Sequence, residues 1–295
     1  MYLFHPDNKK FHVLRRLASL LPGAIILGAV LGVVFSGCTK EVAVSLKSTV
    51  PKLIIEGVVS NQDLGSYVRL SYSQDFSDQQ PFTYISDGLV ILTDSNRQVH
   101  DTLKTRVDEN GNPYFASFRV RPVIGHVFQL TVLLDGQRYT ARSVMPDTVT
   151  FEGISLLSEA GRLSSKSVFT AVPQYTDPPG VKNFYRFEQY INHRKDPAIN
   201  VLNDNVGDGL PNERPIFTKD IDIHLGDTLT VAMIQISEPV YQYFYQLQNN
   251  QQTLGATPSN PTTNIVAQNA EAQQHILGYF SAEYWQYFTA HIAAE

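Results

Sequence analysis

One cysteine stands in 295 residues, Cys38, so the chain cannot close an internal disulfide and the cross-linked framework of small secreted domains is excluded. Charge is also scarce: Asp, Glu, Lys and Arg make up 17% of the chain against 43% hydrophobic residues, which is too little charge for a disordered polymer and enough apolar material for a core. No long basic run occurs in the body, so the positive patch that nucleic acid would require is missing. Three chemistries lack their sequence signatures. There is no His-Glu-x-x-His pair, no Gly-x-Ser-x-Gly elbow and no glycine-rich phosphate loop. His100, His126, His193, His224, His275 and His291 are scattered without metal-ligand spacing. A non-enzymatic protein without metal or cofactor is therefore expected. What the chain does have is 15 tyrosines and 16 phenylalanines beside frequent Thr and Val, a composition that favours strands.

The N-terminus reads as an address. Lys9, Lys10, Arg15 and Arg16 precede an uncharged run from Leu17 to Thr39, and Ser36 and Gly37 lead directly into Cys38. A positive region, an apolar core and small residues at a cut site form a signal peptide. Phe35-Ser36-Gly37-Cys38 resembles the lipobox of bacterial lipoproteins, with Phe where Leu is commoner. Cys38, placed directly after a cut between Gly37 and Cys38, would supply a thiol that can accept a diacylglycerol group. The alternative is an uncleaved anchor helix, since a run of about 20 apolar residues can span a bilayer. Pro22 and Gly23 interrupt that run, and the sole cysteine sits at its exit. Removing residues 1–37 takes away Lys9, Lys10, Arg15, Arg16 and Asp7, leaving 19 basic and 27 acidic residues, a net charge of −8.

After a lipidated tether at 38–50, strand signals recur at about 8–12-residue spacing. They fall at Lys52–Val59, Ser66–Tyr72, Leu89–Thr93, Val99–Lys104, Tyr114–Val120, His126–Leu134 and Arg138–Val144, with turns at Asp94–Arg97, Asp108–Pro113 and Asp135-Gly136. Each alternating strand has one apolar face to bury, which predicts an immunoglobulin- or transthyretin-like β-sandwich over 51–147. Residues 148–295 read as a second β-rich domain. Its strands are expected at Thr148–Leu157, Lys166–Tyr175 and Asn183–Asn192, with a hairpin of Phe217–His224 and Asp227–Ile236 and closing strands at His275–Ser281 and Tyr287–Ile292. Asp177–Gly180 is a hard break, and Arg194–Pro215 reads as irregular. One helix is expected near 238–249, where Ser237 can cap, Pro239 suits a first turn, and Val240, Phe244 and Leu247 share a face.

Several segments resemble the DUF4249 family of Bacteroidota outer-membrane lipoproteins. They are the lipobox, Pro51–Gly57, Tyr67–Leu70, Tyr139–Pro146, Asp177–Gly180 before Asn183–Arg186, the tyrosine-rich helix, Asn260-Pro261, Asn264-Ile265 and Leu277–Ala282. The polar stretch Ala267–Gln274 and the segment Glu283–Gln286 depart from the family pattern. The resemblance implies an outer-membrane lipoprotein, held to the bilayer by acylated Cys38, that serves as a non-catalytic accessory or binding subunit of a TonB-dependent nutrient transporter, a β-barrel. A structural or assembly lipoprotein of the envelope is the alternative. A glycan or peptide hydrolase would need paired carboxylates in a cleft.

Asn203–Gly209 is rich in Asp, Asn and Gly, but Val206 falls where a calcium loop needs an oxygen and no glutamate closes it, so an ordinary turn is favoured. Aromatic residues mostly fill cores. The candidates for ligand or partner contact are the loop residues Phe76, Phe82 and Tyr84, together with Tyr284 and Trp285 near the end.

Overall fold

A computed structural model of the protein describes residues 50–62, 65–74, 82–159, 168–205, 207–252 and 259–293. The signal segment 1–37, Cys38 and Phe76 lie outside the described residues. The chain is mainly β. Its strands are β1 (Leu53–Ser60), β2 (Tyr67–Tyr72), β3 (Leu89–Asp94), β4 (Val99–Thr102), β5 (Lys104–Val107), β6 (Pro113–Ala116), β7 (Val127–Leu134) and β8 (Gln137–Val144). Then follow β9 (Gly153–Glu159), β10 (Val168–Gln174), β11 (Phe184–Ile191), β12 (Arg194–Lys195), β13 (Asn200–Asn203) and β14 (Thr228–Gln235). Helix α1 (Glu238–Gln252), β15 (Ile265–Ala267), the short α2 (Ala270–Gln274) and β16 (Ile276–His291) complete the order.

One sheet runs through both halves of the chain in the order β12-β11-β14-β16-β1-β2-β6-β5, with β13 beside β11. A second sheet, β15-β8-β7-β3-β4, covers one end of it, and the β9–β10 hairpin accompanies the other. The first core lies between the two large sheets. Ile55, Leu70, Phe115 and Phe280 come from one side, and Leu92, Phe128, Leu130 and Val132 from the other. The second core gathers Tyr185, Phe187, Val231 and Met233 from the shared sheet with Phe151, Ala171 and Tyr175 around the hairpin. Period-two alternation selects these faces. In β8, for example, Tyr139, Ala141 and Ser143 are buried while Arg138, Thr140 and Arg142 are exposed. The Asp135-Gly136 turn has positive φ at both residues, 48° and 75°, as a two-residue hairpin with native strand twist requires.

Three expectations are corrected. First, the boundary at 147/148 does not separate two bodies. Residues 49–295 form one compact unit, because β15 pairs with β8 and β16 pairs with β1. Second, the two closing strands are one. Ile276–Glu283 pairs in parallel with β1, and Tyr284–His291 continues antiparallel to β14. Each half leaves one edge of β16 open, and an asparagine side chain occupies it. Asn264 accepts from the Phe280 N–H at 2.9 Å and donates to the Phe280 carbonyl at 2.8 Å. Asn61 does the same at Trp285, at 2.8 and 3.0 Å. The backbone groups of Phe280 and Trp285 are thus satisfied without a further strand. Third, Phe217–His224 is not the arm of a hairpin. Asp196, 1% exposed, accepts from the N–H groups of Lys219, Asp220 and Ile221 and from its own neighbour Ala198, at 2.9–3.0 Å. Those donors therefore serve a carboxylate rather than a ladder. The stretch read as irregular also holds β12 and β13, which both pair with β11.

Candidate functional site

Because β11, β14, β16, β1 and β2 share one sheet, register decides which residues meet on the face away from the two sheet cores. Arg186 pairs with Ile234, which pairs with Trp285. Glu56 pairs with Tyr279 on one side and Arg69 on the other. Strand alternation then places Arg186, Glu188, Tyr190, Tyr279, Glu283, Trp285, Glu56 and Tyr67 on one face. Helix α1 packs on part of this face through Val240, Tyr241, Tyr243 and Phe244, forming a third cluster with Ala232 and Ile234. Beside the helix lies a cleft of about 400 Å³ lined by Glu56, Tyr67, Arg186, Glu188, Lys195, Tyr243, Tyr279, Glu283 and Trp285, among others. That volume falls at the lower end of the 300–1,000 Å³ range for small-ligand sites.

Arg186 organises the cleft. Its Nη1 donates to Glu188 Oε1 at 2.5 Å, and its Nη2 stands 3.6 Å from Glu283 Oε1. The guanidinium lies over the rings of Phe244 and Trp285, 4.7 and 5.4 Å from their centroids. The cation is thus within cation–π range of two rings while its N–H groups serve carboxylates. Glu188 is further held by Lys195 Nζ and the Tyr190 hydroxyl, both at 2.7 Å from Oε2. Glu283 Oε1 accepts from the Trp285 indole at 2.8 Å, whereas Oε2 has no hydrogen-bond partner.

These contacts separate the carboxyl groups. Burial drives the Glu188 carboxyl up, but Arg186 and Lys195 outweigh it and hold it below the usual range. Burial also drives Glu283 up, and there Arg186 and the indole offset only part, so it stays above the usual range. Glu56 is raised by burial against a smaller opposing effect of Arg69. Burial pushes the Tyr67 and Tyr243 phenols up to about 12, so both remain neutral donors and acceptors at pH 7. The cleft therefore offers aromatic walls with hydroxyl, carboxyl and cationic groups that compensate one another.

The aromatic candidates separate. Trp285 lines the cleft, but its neighbour Tyr284 points to the opposite face and packs against the first core. Tyr84 bridges to Ser71, and its ring sits 5.5 Å from the Arg69 guanidinium carbon. Phe82 is 57% exposed and does not line the cleft. Sequence reasoning missed Arg186, Glu188 and Glu283. The available signal was charge at alternate positions of an aromatic strand, Phe184-Tyr185-Arg186-Phe187-Glu188, where burial of one face requires a partner for the charges on the other. Among the described residues no group of three His, Cys, Asp or Glu side chains could hold a metal ion.

A family model described as a domain of unknown function, DUF4249, matches residues 39–286. The chain belongs to the DUF4249 family. That match spans β1 through most of β16, so this DUF4249 fold includes both sheet cores and the cleft between β11, β16 and α1. No curated protein matches the sequence.

Proposed function

We propose that this DUF4249 protein is a lipoprotein tethered to the outer membrane through Cys38, acting as a non-catalytic binding subunit of a TonB-dependent nutrient transporter. The observation that carries the reading is the sole cysteine placed directly after Phe35-Ser36-Gly37 behind a positive and then apolar segment. The transporter partner follows from the family resemblance. The cleft beside α1 supports binding: it has small-ligand size, and its charges are neutralised by one another before any ligand arrives.

The hydrolase reading finds one observation in its favour, since Glu188 and Glu283 are carboxyls with acidities pushed apart. However, Arg186 contacts both, occupying the space where a scissile bond would have to lie. Binding is therefore the reading we adopt.

The test replaces Cys38 with serine in the full chain. Lipidation predicts loss of palmitate labelling, retention of the uncut precursor and release from the outer-membrane fraction; unchanged labelling and fractionation would overturn the tether. Affinity purification of the lipidated protein in detergent should bring down a β-barrel transporter. Recovery of secretion or barrel-assembly machinery instead would favour the structural-lipoprotein reading.

A further inference from the structure

A second cavity lies on the far side of β11, away from the cleft. Two segments separated in sequence build it. Tyr175–Asp177 follows β10, and residues 204–205 and 207–215 follow β13. Cross-links hold them together: Asn212 N–H donates to the Tyr175 carbonyl at 2.8 Å, Gly180 N–H to Asp208 Oδ1 at 2.8 Å, and Asn183 N–H to Asp204 Oδ2 at 3.2 Å. The resulting cavity of about 490 Å³ is lined by Tyr175, Asp177, Asp204, Glu213 and Arg214, among others.

Two of these side chains are left with unused polar atoms. Asp177 is 4% exposed, and its Oδ1 accepts from the Tyr185 hydroxyl at 2.5 Å, but Oδ2 has no partner. Tyr175 is 2% exposed, and its hydroxyl also makes no well-formed hydrogen bond, although the Arg214 guanidinium lies near enough to bear on it. The one cation on the wall, Arg214, bears on Asp177 through its charge but spends its N–H groups elsewhere. Arg214 directs Nη2 to the Asn203 carbonyl at 2.5 Å and Nε to Asn212 Oδ1 at 3.4 Å. Three carboxylates therefore face one guanidinium around the cavity. Buried polar atoms ordinarily find partners, and a carboxylate oxygen can only accept. A metal ion is disfavoured, because no three carboxylates converge closely enough to hold one among the described residues. An N–H cation needs no such convergence. It can donate to one oxygen at Asp177 and another at Tyr175 while the remaining carboxylates supply field.

We propose that the cavity between Tyr175–Asp177 and residues 204–205 and 207–215 binds an organic cation, a primary ammonium or guanidinium group, whose N–H donors complete Asp177 Oδ2 and the Tyr175 hydroxyl. Burial raises the Asp177 carboxyl, with Asp204 and Asp208 adding to the effect, and an incoming cation reverses that tendency. The same group could come from a free amine or from a lysine or arginine side chain of a partner.

The test uses full-length protein in a nonionic detergent and calorimetric titration with n-butylammonium, n-butylguanidinium, Nα-acetyl-lysine N-methylamide, n-butanol and calcium chloride. Saturable binding of at least one organic cation is expected, with none for n-butanol. Tighter binding of the capped lysine assigns the source to a partner's side chain, and tighter binding of a simple cation assigns it to a free molecule. Asp177→Asn keeps an acceptor for Tyr185 and presents a donor where Oδ2 stood, so it should weaken binding at least tenfold. Tyr175→Phe keeps the ring and should weaken binding several-fold; both variants are to be checked for a native melting curve. No saturation by any cation, displacement by calcium, or full-strength binding in a folded Asp177→Asn variant would overturn the proposal. Because none of these readouts involves Cys38 or a transporter, their failure is separable from failure of the tether.

Discussion

Replacing Arg186 with methionine tests whether the charges of the α1 cleft stabilise the fold. Methionine keeps an unbranched chain between Phe244 and Trp285 but removes the guanidinium that joins Glu188 to Glu283. Deleting one partner of a buried ion network costs about 3–5 kcal/mol, because the remaining charge stays buried and uncompensated. The lower end applies here. Glu188 keeps Lys195 and the Tyr190 hydroxyl, and Glu283 can bind a proton, towards which burial already biases it. At about 2–4 °C per kcal/mol for a body of this size, a loss of about 3 kcal/mol lowers Tm by about 6–12 °C. Thermal melts of the full-length protein in nonionic detergent at pH 7 and pH 5 measure it. The deficit should narrow at pH 5, because protonation neutralises the carboxyls that the variant leaves alone. A deficit under about 1 kcal/mol at pH 7 would refute the reasoning and show that an apolar chain between the two rings serves as well as the charge.

Three further outcomes are expected. The Glu283 carboxyl is raised in the folded state, so its protonated form is favoured by folding; that contribution is complete below the ordinary glutamate value of 4.5 and is lost as pH rises through the raised value. Glu283→Gln, uncharged at every pH, should therefore melt higher than the parent at pH 8, with the advantage shrinking towards pH 4; a parent that melts higher at pH 8 has the opposite sign and sinks the assignment. Gly278→Ala should abolish folded protein, since its Cβ would stand 2.0 Å from the Ile55 carbonyl oxygen at a φ of +101°, inside the β1–β16 pairing. Gly111→Ala, also at positive φ but with open space around it, should cost only about 1 kcal/mol by comparison of urea midpoints.

Local patterns made much of the fold legible. The alternation of β1, β2, β3, β7 and β8, the Asp135-Gly136 turn and the apolar stripe of α1 each lie within a window of a few residues, where periodicity and turn chemistry act. The same windows misread Phe217–His224, because its donors are claimed by Asp196, more than twenty residues earlier. They also broke β16 in two. The strand changes partner near Glu283, from β1 to β14, and no local pattern states who the neighbours will be.

For the candidate sites the division is sharper. The sequence by itself determined the β class, the helix near 238–249, the position of the sole cysteine and the aromatic character of Trp285, since composition and period are properties of the chain read in order. Only the tertiary structure decided that Trp285 faces a cleft while Tyr284 faces a core, and that Arg186, Glu188 and Glu283 share a network, since this follows from the register of β11, β14 and β16. Asp177 and Tyr175 were legible only as a break and a strand end. Their unused oxygens became visible once residues 207–215 closed over them, because a buried group's need for a partner exists only after water has been removed.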